Sequence, residues 1–153
     1  MKYVFGAILL ISATFAGKLF SLKYKDRLTF YGAFSDFNKK FKTAVGFSFR
    51  TLNDTLRSDE QNPFTSLFIR YKDEKEEGLK RPSFLTAEEF SFVCEYFENA
   101  GLSDKPTQLN YLNGAEEIIN EKLKKCETEY LKLKPACVKL GFLFGLILFI
   151  LVL

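Results

Sequence analysis

The 153-residue sequence contains no histidine and no tryptophan, and it has only three cysteines and four prolines. Without histidine, the chain lacks the side chain that most often serves as a metal ligand or a general base. The cysteines are widely spaced, odd in number and without a CxxC pair, which argues against a secreted disulfide framework. We therefore expect free thiols in a reducing compartment, with no metal-binding residue.

Recognised catalytic motifs are also missing. The sequence contains no phosphate-binding loop, no glycine-rich dinucleotide fingerprint, no HExxH and no nucleophile elbow. Adjacent acidic residues such as Glu116 and Glu117 diverge on a helix, so solvated or capping charges are expected rather than an acid–base pair. The net charge of +3 is too small to indicate a nucleic-acid partner. These absences predict a protein that is not an enzyme, with no catalytic or cofactor-binding residue.

Charge is scarce at both ends of the chain. Apart from Lys2, every charged residue lies between Lys18 and Lys139. The apolar segments at residues 1–20 and 136–153, as helices rising about 1.5 Å per residue, nearly match the ~30 Å hydrocarbon core of a bilayer. The uncharged run at residues 140–153 is by itself short for a span, but it is apolar on every face, unlike a surface helix of a globular protein.

Positive charge indicates how these segments are oriented. Lysines and arginines follow the first segment and precede the second, so both basic flanks lie on the side of the middle region. Basic flanks of membrane helices stay in the cytoplasm. The sequence therefore predicts transmembrane helices at 1–20 and 136–153, with a cytoplasmic helical domain at 21–134.

A second interpretation of the N-terminal segment remains open. The same residues fit a signal peptide that is cut near Ala16, with Thr14 and Ala16 as the small residues before the cleavage site. The protein would then be secreted or surface-anchored through its C-terminal helix. A mature chain that starts at Gly17 would support export, whereas intact residues 1–20 would support the retained helix.

Small residues recur at helical spacing in both apolar segments. Gly141 and Gly145 form a GxxxG pair, and a stripe of the first segment contains Gly6, Ala13 and Gly17. Small side chains let helix backbones approach closely in a membrane. These residues predict helix packing, within the chain or between copies, although glycine is also common in membrane helices that lack such a role.

The middle region shows the apolar spacing of α-helices and no alternating strand pattern. An aromatic face, an N-cap before proline and a capping box mark individual helices. These residues are Phe30, Phe34, Phe37, Phe41, Asn62, Pro63, Thr86 and Glu89. We predict an all-α fold, a small helical bundle between two transmembrane helices that form a membrane hairpin.

Three interruptions are expected in this helical pattern. The segment AVGFS, with Gly46 as a cap, should break or bend the first helix. The charged residues 72–83, which include Gly78 and Pro82, should form a helix end followed by a solvated loop. Pro135 could kink the junction between the longest helix and the terminal apolar segment.

The segment AGLSDKPTQ, residues 100–108, predicts a turn between two helices. Gly101 suits the left-handed position that follows a helix, and Ser103 or Asp104 can cap the next helix. Gln108 is spaced to reach back and brace the turn. This role is structural and requires no ligand.

Three segments together resemble the stage III sporulation protein AB family: GAILLISATFAG, the AGLSDKPTQ turn and the closing LGFLFGLILFILVL. The turn carries the resemblance most strongly, because its Gly, Ser, Asp and Gln stand at the spacing of the family. The resemblance covers both ends and the second half of the chain. The family in turn resembles the cytoplasmic helical domain of the type II secretion F protein.

This resemblance implies a scaffold subunit of a secretion-like channel complex between mother cell and forespore. It implies a two-pass protein of the cell membrane, with its middle domain in the mother-cell cytoplasm. The implied partners are other membrane components of the channel, a cytoplasmic secretion-type ATPase and the lipid bilayer. A secreted or surface-anchored helical protein is the alternative from another class, and a small enzyme subunit is a third.

Overall fold

The computed structural model describes residues 2–48, 52–57, 59, 61–74 and 79–152. Its α-helices are α1 Lys2–Thr43, α2 Leu52–Arg57, α3 Pro63–Glu74, α4 Ala87–Asn99 and α5 Lys105–Val152. No strand occurs within these described ranges. The predicted all-α fold class is confirmed.

The chain divides into two compact units. Unit 1 contains Met1–Leu28 and Cys126–Leu153, and unit 2 contains Thr29–Lys125. The two long helices, α1 and α5, contribute residues to both units, whereas the three shorter helices belong to unit 2.

Both long helices contain an 18-residue stretch that is apolar enough to cross a membrane. Only 11% of this stretch is buried in α1 and 6% in α5. A core helix of a soluble protein would bury most of its apolar residues, since burial is what stabilises it. The two stretches therefore have the exposure that a lipid environment requires.

Unit 2 is built around aromatic rings. The four phenylalanines of the predicted α1 face are each at most 1% exposed, which confirms that face. Phe34 of α1 stacks on Phe64 of α3, with ring centroids 3.9 Å apart and ring planes 11° apart. Phe68 of α3 stacks on Phe97 of α4 with centroids 4.2 Å apart. Ring packing therefore joins three helices into one core.

The predicted helix starts are also confirmed. At the start of α3, the Asn62 side chain accepts hydrogen bonds from the backbone N–H groups of Phe64, at 2.9 Å, and Thr65, at 3.3 Å. At α4, the Glu89 N–H donates to the Thr86 hydroxyl at 3.2 Å, and the Thr86 N–H donates to the Glu89 carboxylate at 3.0 Å. Each bond satisfies a backbone donor that has no partner within the helix.

The structure describes most of the three segments in which an interruption was expected. The α-helix α1 ends at Thr43, and AVGFS forms the π-helical segment Ala44–Ser48 directly after it. Regular α-helical geometry is therefore interrupted here, but Gly46 lies inside the π-helical segment rather than at a cap. Pro135 lies inside α5, which continues on both sides of it, and the kink that the sequence suggests there stays a prediction. A proline removes only one backbone donor, and the rest of a long helix keeps its hydrogen bonds. Within residues 72–83, α3 ends at Glu74, as expected of a helix end, and Gly78 lies outside the described residues.

Candidate docking surface and helix-packing site

The turn between α4 and α5 brings two of its four predicted residues into contact. Gly101 has a φ of +85°, in the left-handed region that favours glycine. Its N–H donates to the side-chain oxygen of Gln108 at 3.1 Å, and Gln108 is only 2% exposed. Ser103 and Asp104 are exposed just before α5 begins. The buried glutamine thus holds the end of α4 against the first turn of α5.

A groove of about 380 Å³ opens beside this turn on unit 2. Its lining combines buried aromatic rings with polar side chains, and Lys72 donates to the side-chain oxygen of Asn53 at 2.6 Å. The lining residues are Leu52, Asn53, Phe68, Lys72, Phe97, Glu98, Ala100, Gly101 and Leu102. An apolar depression with a few polar groups is typical of a site that receives an apolar side chain.

Two large apolar side chains are exposed at the same end of unit 2. Phe47 is 87% exposed and Leu102 is 79% exposed. The ammonium group of Lys105 donates to the carbonyl oxygen of Gly46 at 2.7 Å, which joins the π-helical segment to the start of α5. We call Phe47, Leu102 and the adjacent groove the docking surface. Exposed apolar side chains beside an apolar groove are characteristic of protein–protein contact.

Sequence reasoning did not identify the docking surface. Its lining comes from α2, α3, α4 and the turn, so no local pattern brings it together. Two signals were available: a phenylalanine next to Gly46 and a leucine next to Gly101, both in connecting segments. Apolar residues in connections seldom belong to the helical core pattern.

Polar side chains inside unit 2 form a hydrogen-bonded connection between helices. The Tyr96 hydroxyl donates to the side-chain oxygen of Asn38 at 2.9 Å, and the Asn38 amide donates to the carbonyl oxygen of Leu112 at 3.1 Å. Burial raises the pKa of Tyr96 well above its usual value. Burial and nearby carboxylates raise the pKa of Tyr111 to about 12. Both phenols therefore stay protonated near neutral pH, and the Tyr96 hydroxyl stays a donor.

No group of three or more acidic, cysteine or histidine side chains is placed to hold a metal ion in the part of the chain that the structure describes. The cysteines at positions 94, 126 and 137 form no disulfide bond.

The small residues of the terminal segments lie at backbone contacts between α1 and α5 in unit 1. A Cβ added at Gly17 would lie 2.5 Å from the carbonyl oxygen of Cys137. One added at Gly141 would lie 2.8 Å from the carbonyl oxygen of Ala13. Only glycine permits such an approach, since real Cβ atoms do not come that close to a backbone oxygen.

The same helix pair is in contact nearer the chain ends. A Cβ added at Gly145 would lie 3.0 Å from the backbone of Leu10 and 3.2 Å from the Cβ of Ala13. Gly6 instead faces the ring of Phe149, 2.7 Å from an added Cβ. The structure therefore brings Ala13 and three of the glycines together within one chain, while Gly6 faces an aromatic ring.

The match to a known family spans both units. The family model for stage III sporulation protein AB matches residues 2–153. This range includes both terminal helices, the turn and the docking surface. No curated protein and no solved structure matches the chain.

Proposed function

Because this chain belongs to the stage III sporulation protein AB family, we propose that it is a non-catalytic membrane platform. It would be a scaffold subunit of the secretion-like channel complex between mother cell and forespore. The apolar ends of α1 and α5 cross the membrane and contact other membrane components, while unit 2 binds a cytoplasmic partner. The docking surface is the observation that carries this proposal.

The proposal that unit 1 crosses the membrane is supported by the exposure of its apolar side chains. Large apolar side chains of unit 1 point outwards on both helices, where water would solvate them poorly. They include Ile11, Phe15, Phe20, Leu140, Phe144, Ile147 and Leu151, each at least 60% exposed. The close backbone contacts at Gly17 and Gly141 are typical of helix pairs in a bilayer.

The docking part is supported by the composition of the surface. Phe47 and Leu102 are far more exposed than Ile118, another large apolar side chain of unit 2, which is 43% exposed. Lys72 and Glu98 place both signs of charge at the groove. An apolar centre with polar neighbours is the usual anatomy of an interface. The partner that we propose is the cytoplasmic secretion-type ATPase that the family resemblance implies.

Truncating the docking surface is expected to weaken binding of this ATPase. The double variant Phe47→Ala/Leu102→Ala removes two apolar anchors, each of the kind that contributes about 1–2 kcal/mol when it is buried at an interface. We expect the affinity to fall roughly tenfold or more. Biolayer interferometry with the full-length protein in detergent and the purified ATPase measures this change.

The matched control for docking is Ile118→Ala, which truncates an apolar side chain on α5 and should leave the affinity unchanged. If the double variant binds as tightly as the unmodified protein, the docking surface is not the site of contact.

The topology of unit 2 can be tested by labelling a single cysteine. In a chain whose native cysteines are replaced by alanine, Ser91→Cys lies at an exposed position of α4. A membrane-impermeant maleimide should label it only after the cells are permeabilised, because the basic flanks of both helices hold unit 2 in the cytoplasm. Labelling in intact cells would instead support the exported alternative, and so would a mature N-terminus at Gly17.

A further inference from the structure

A cluster of positive charge lies in unit 1, next to the apolar segments of α1 and α5. Residues 18–25 of α1 lie beside residues 130–139 of α5, because Gly17 contacts Cys137 on one side and Arg27 pairs with Glu129 on the other. These two ranges contain six lysines and no acidic residue. We call them the lysine collar: Lys18, Lys23, Lys25, Lys132, Lys134 and Lys139.

The charges of the lysine collar are not neutralised within the protein. All six lysines are exposed, and none of them pairs with a carboxylate in the described ranges. Two carboxylates border these ranges: Asp26 is exposed beside Lys25, and Glu129 is bound to Arg27 at 2.6 Å. The six positive charges outnumber the carboxylates beside them, and like charges repel one another, so an external anion would relieve the repulsion.

The lysine collar surrounds the helix pair rather than marking one face of it. An α-helix turns by about 100° per residue, so Lys132 and Lys134 leave α5 in directions about 160° apart. A single protein partner would contact one side only. A shell of lipid headgroups can contact every side at once.

Two tyrosines lie in the same ranges. Tyr24 and Tyr130 carry the amphipathic ring that is enriched where a membrane protein meets the headgroups. The ammonium group of Lys134 lies 5.3 Å from the centre of the Tyr130 ring. Lysine can extend its charged end towards phosphate groups while its stem stays on apolar surface.

We propose that the lysine collar binds the phosphate groups of anionic phospholipids and gathers a shell of them around α1 and α5. This inference rests on the membrane insertion of the proposed function. The shell neutralises charges that the protein leaves unpaired. Zwitterionic phospholipids fit less well, because their own cationic group already compensates the phosphate.

The preference can be measured with the full-length protein in phosphatidylcholine bilayers that contain a trace of spin-labelled lipid. Electron paramagnetic resonance gives the association of labelled phosphatidylglycerol relative to labelled phosphatidylcholine. We expect phosphatidylglycerol to associate severalfold more strongly. The preference should shrink at about 1 M salt, where the Debye length is only ~3 Å.

The triple variant Lys18→Gln/Lys134→Gln/Lys139→Gln should lower the preference for phosphatidylglycerol over phosphatidylcholine at least twofold. The matched control is Lys39→Gln/Lys80→Gln/Lys125→Gln, which removes the same charge from exposed positions of unit 2 and should leave the preference intact. An equal loss in both variants would assign the effect to net charge and overturn the role of the collar.

The remaining outcomes separate the two proposals. If the protein inserts but associates equally with both lipids, the lysine collar inference is wrong and membrane insertion stands. If the protein does not insert, both fail. Displacement of the lipid by millimolar glycerol 3-phosphate would assign the site to a soluble phosphate and overturn the lipid assignment, whereas persistence of the preference supports it.

Discussion

Replacing Gly17 with alanine is expected to force α1 and α5 apart in unit 1. The added Cβ would lie 2.5 Å from the carbonyl oxygen of Cys137 and 3.3 Å from the Cα of Gly141. Both neighbours are helix backbone, which cannot rotate away as a side chain can. Overpacking of this kind costs about 1–3 kcal/mol. The close packing of small residues, which holds membrane helices together, is lost with it.

The separation can be measured as a distance between spin labels. Cysteines at the exposed positions Phe15 and Leu140 carry the labels, and the native cysteines are replaced by alanine. Gly17→Ala should lengthen or broaden the distance distribution in a bilayer. Gly32→Ala is the matched control in the same helix, because a Cβ there meets no atom within 4 Å. Identical distributions in both variants would show that the backbone contact at Gly17 does not hold the pair.

Replacing Phe64 with alanine is expected to destabilise unit 2 more than any surface change. Its ring lies within 6.2 Å, centroid to centroid, of six other rings from α1, α3 and α4. Removing a buried phenylalanine costs about 3–5 kcal/mol through lost burial and the cavity left behind. A whole domain is stable by only about 5–15 kcal/mol. The variant should therefore unfold at much lower denaturant.

Urea unfolding of the full-length protein in mild detergent, followed by near-ultraviolet circular dichroism of the tyrosines, measures this loss. Phe47→Ala is the same substitution at a side chain that is 87% exposed, and it should change stability by no more than about 0.5 kcal/mol. A similar loss in both variants would mean that the ring cluster around Phe64 is not the core. The same unfolding measurement on Phe47→Ala/Leu102→Ala shows whether a loss of partner binding in that variant is due to unfolding.

Several elements could be predicted because their signals are local. The α1 aromatic face repeats every three or four residues, so one helix is enough to reveal it. The capping box of α4 joins residues only three positions apart, Thr86 and Glu89. The scarcity of charged residues at both chain ends is visible in the sequence alone. These features depend on neighbours in the sequence, and the structure reproduces them.

Other elements could not be predicted because distant residues decide them. An interruption after α1 was expected, but its π-helical geometry was not predicted. Its conformation is accompanied by the hydrogen bond from Lys105 to Gly46, across 59 positions. The docking surface likewise needs α2, α3 and α4 to meet at one end of unit 2. The spacing of apolar residues along the sequence does not show which helices pack together there.

The amino-acid sequence by itself determined the helical class, the two apolar ends and the positions of the helix starts, because periodicity, charge and capping act over a few residues. Only the tertiary structure decided which partners those residues have. It brought Gly17 into contact with Gly141 and exposed Phe47 and Leu102 beside a groove. It also placed six lysines along the same stretch of a helix pair. Such contacts join positions far apart in the chain, so they exist only once the helices have packed.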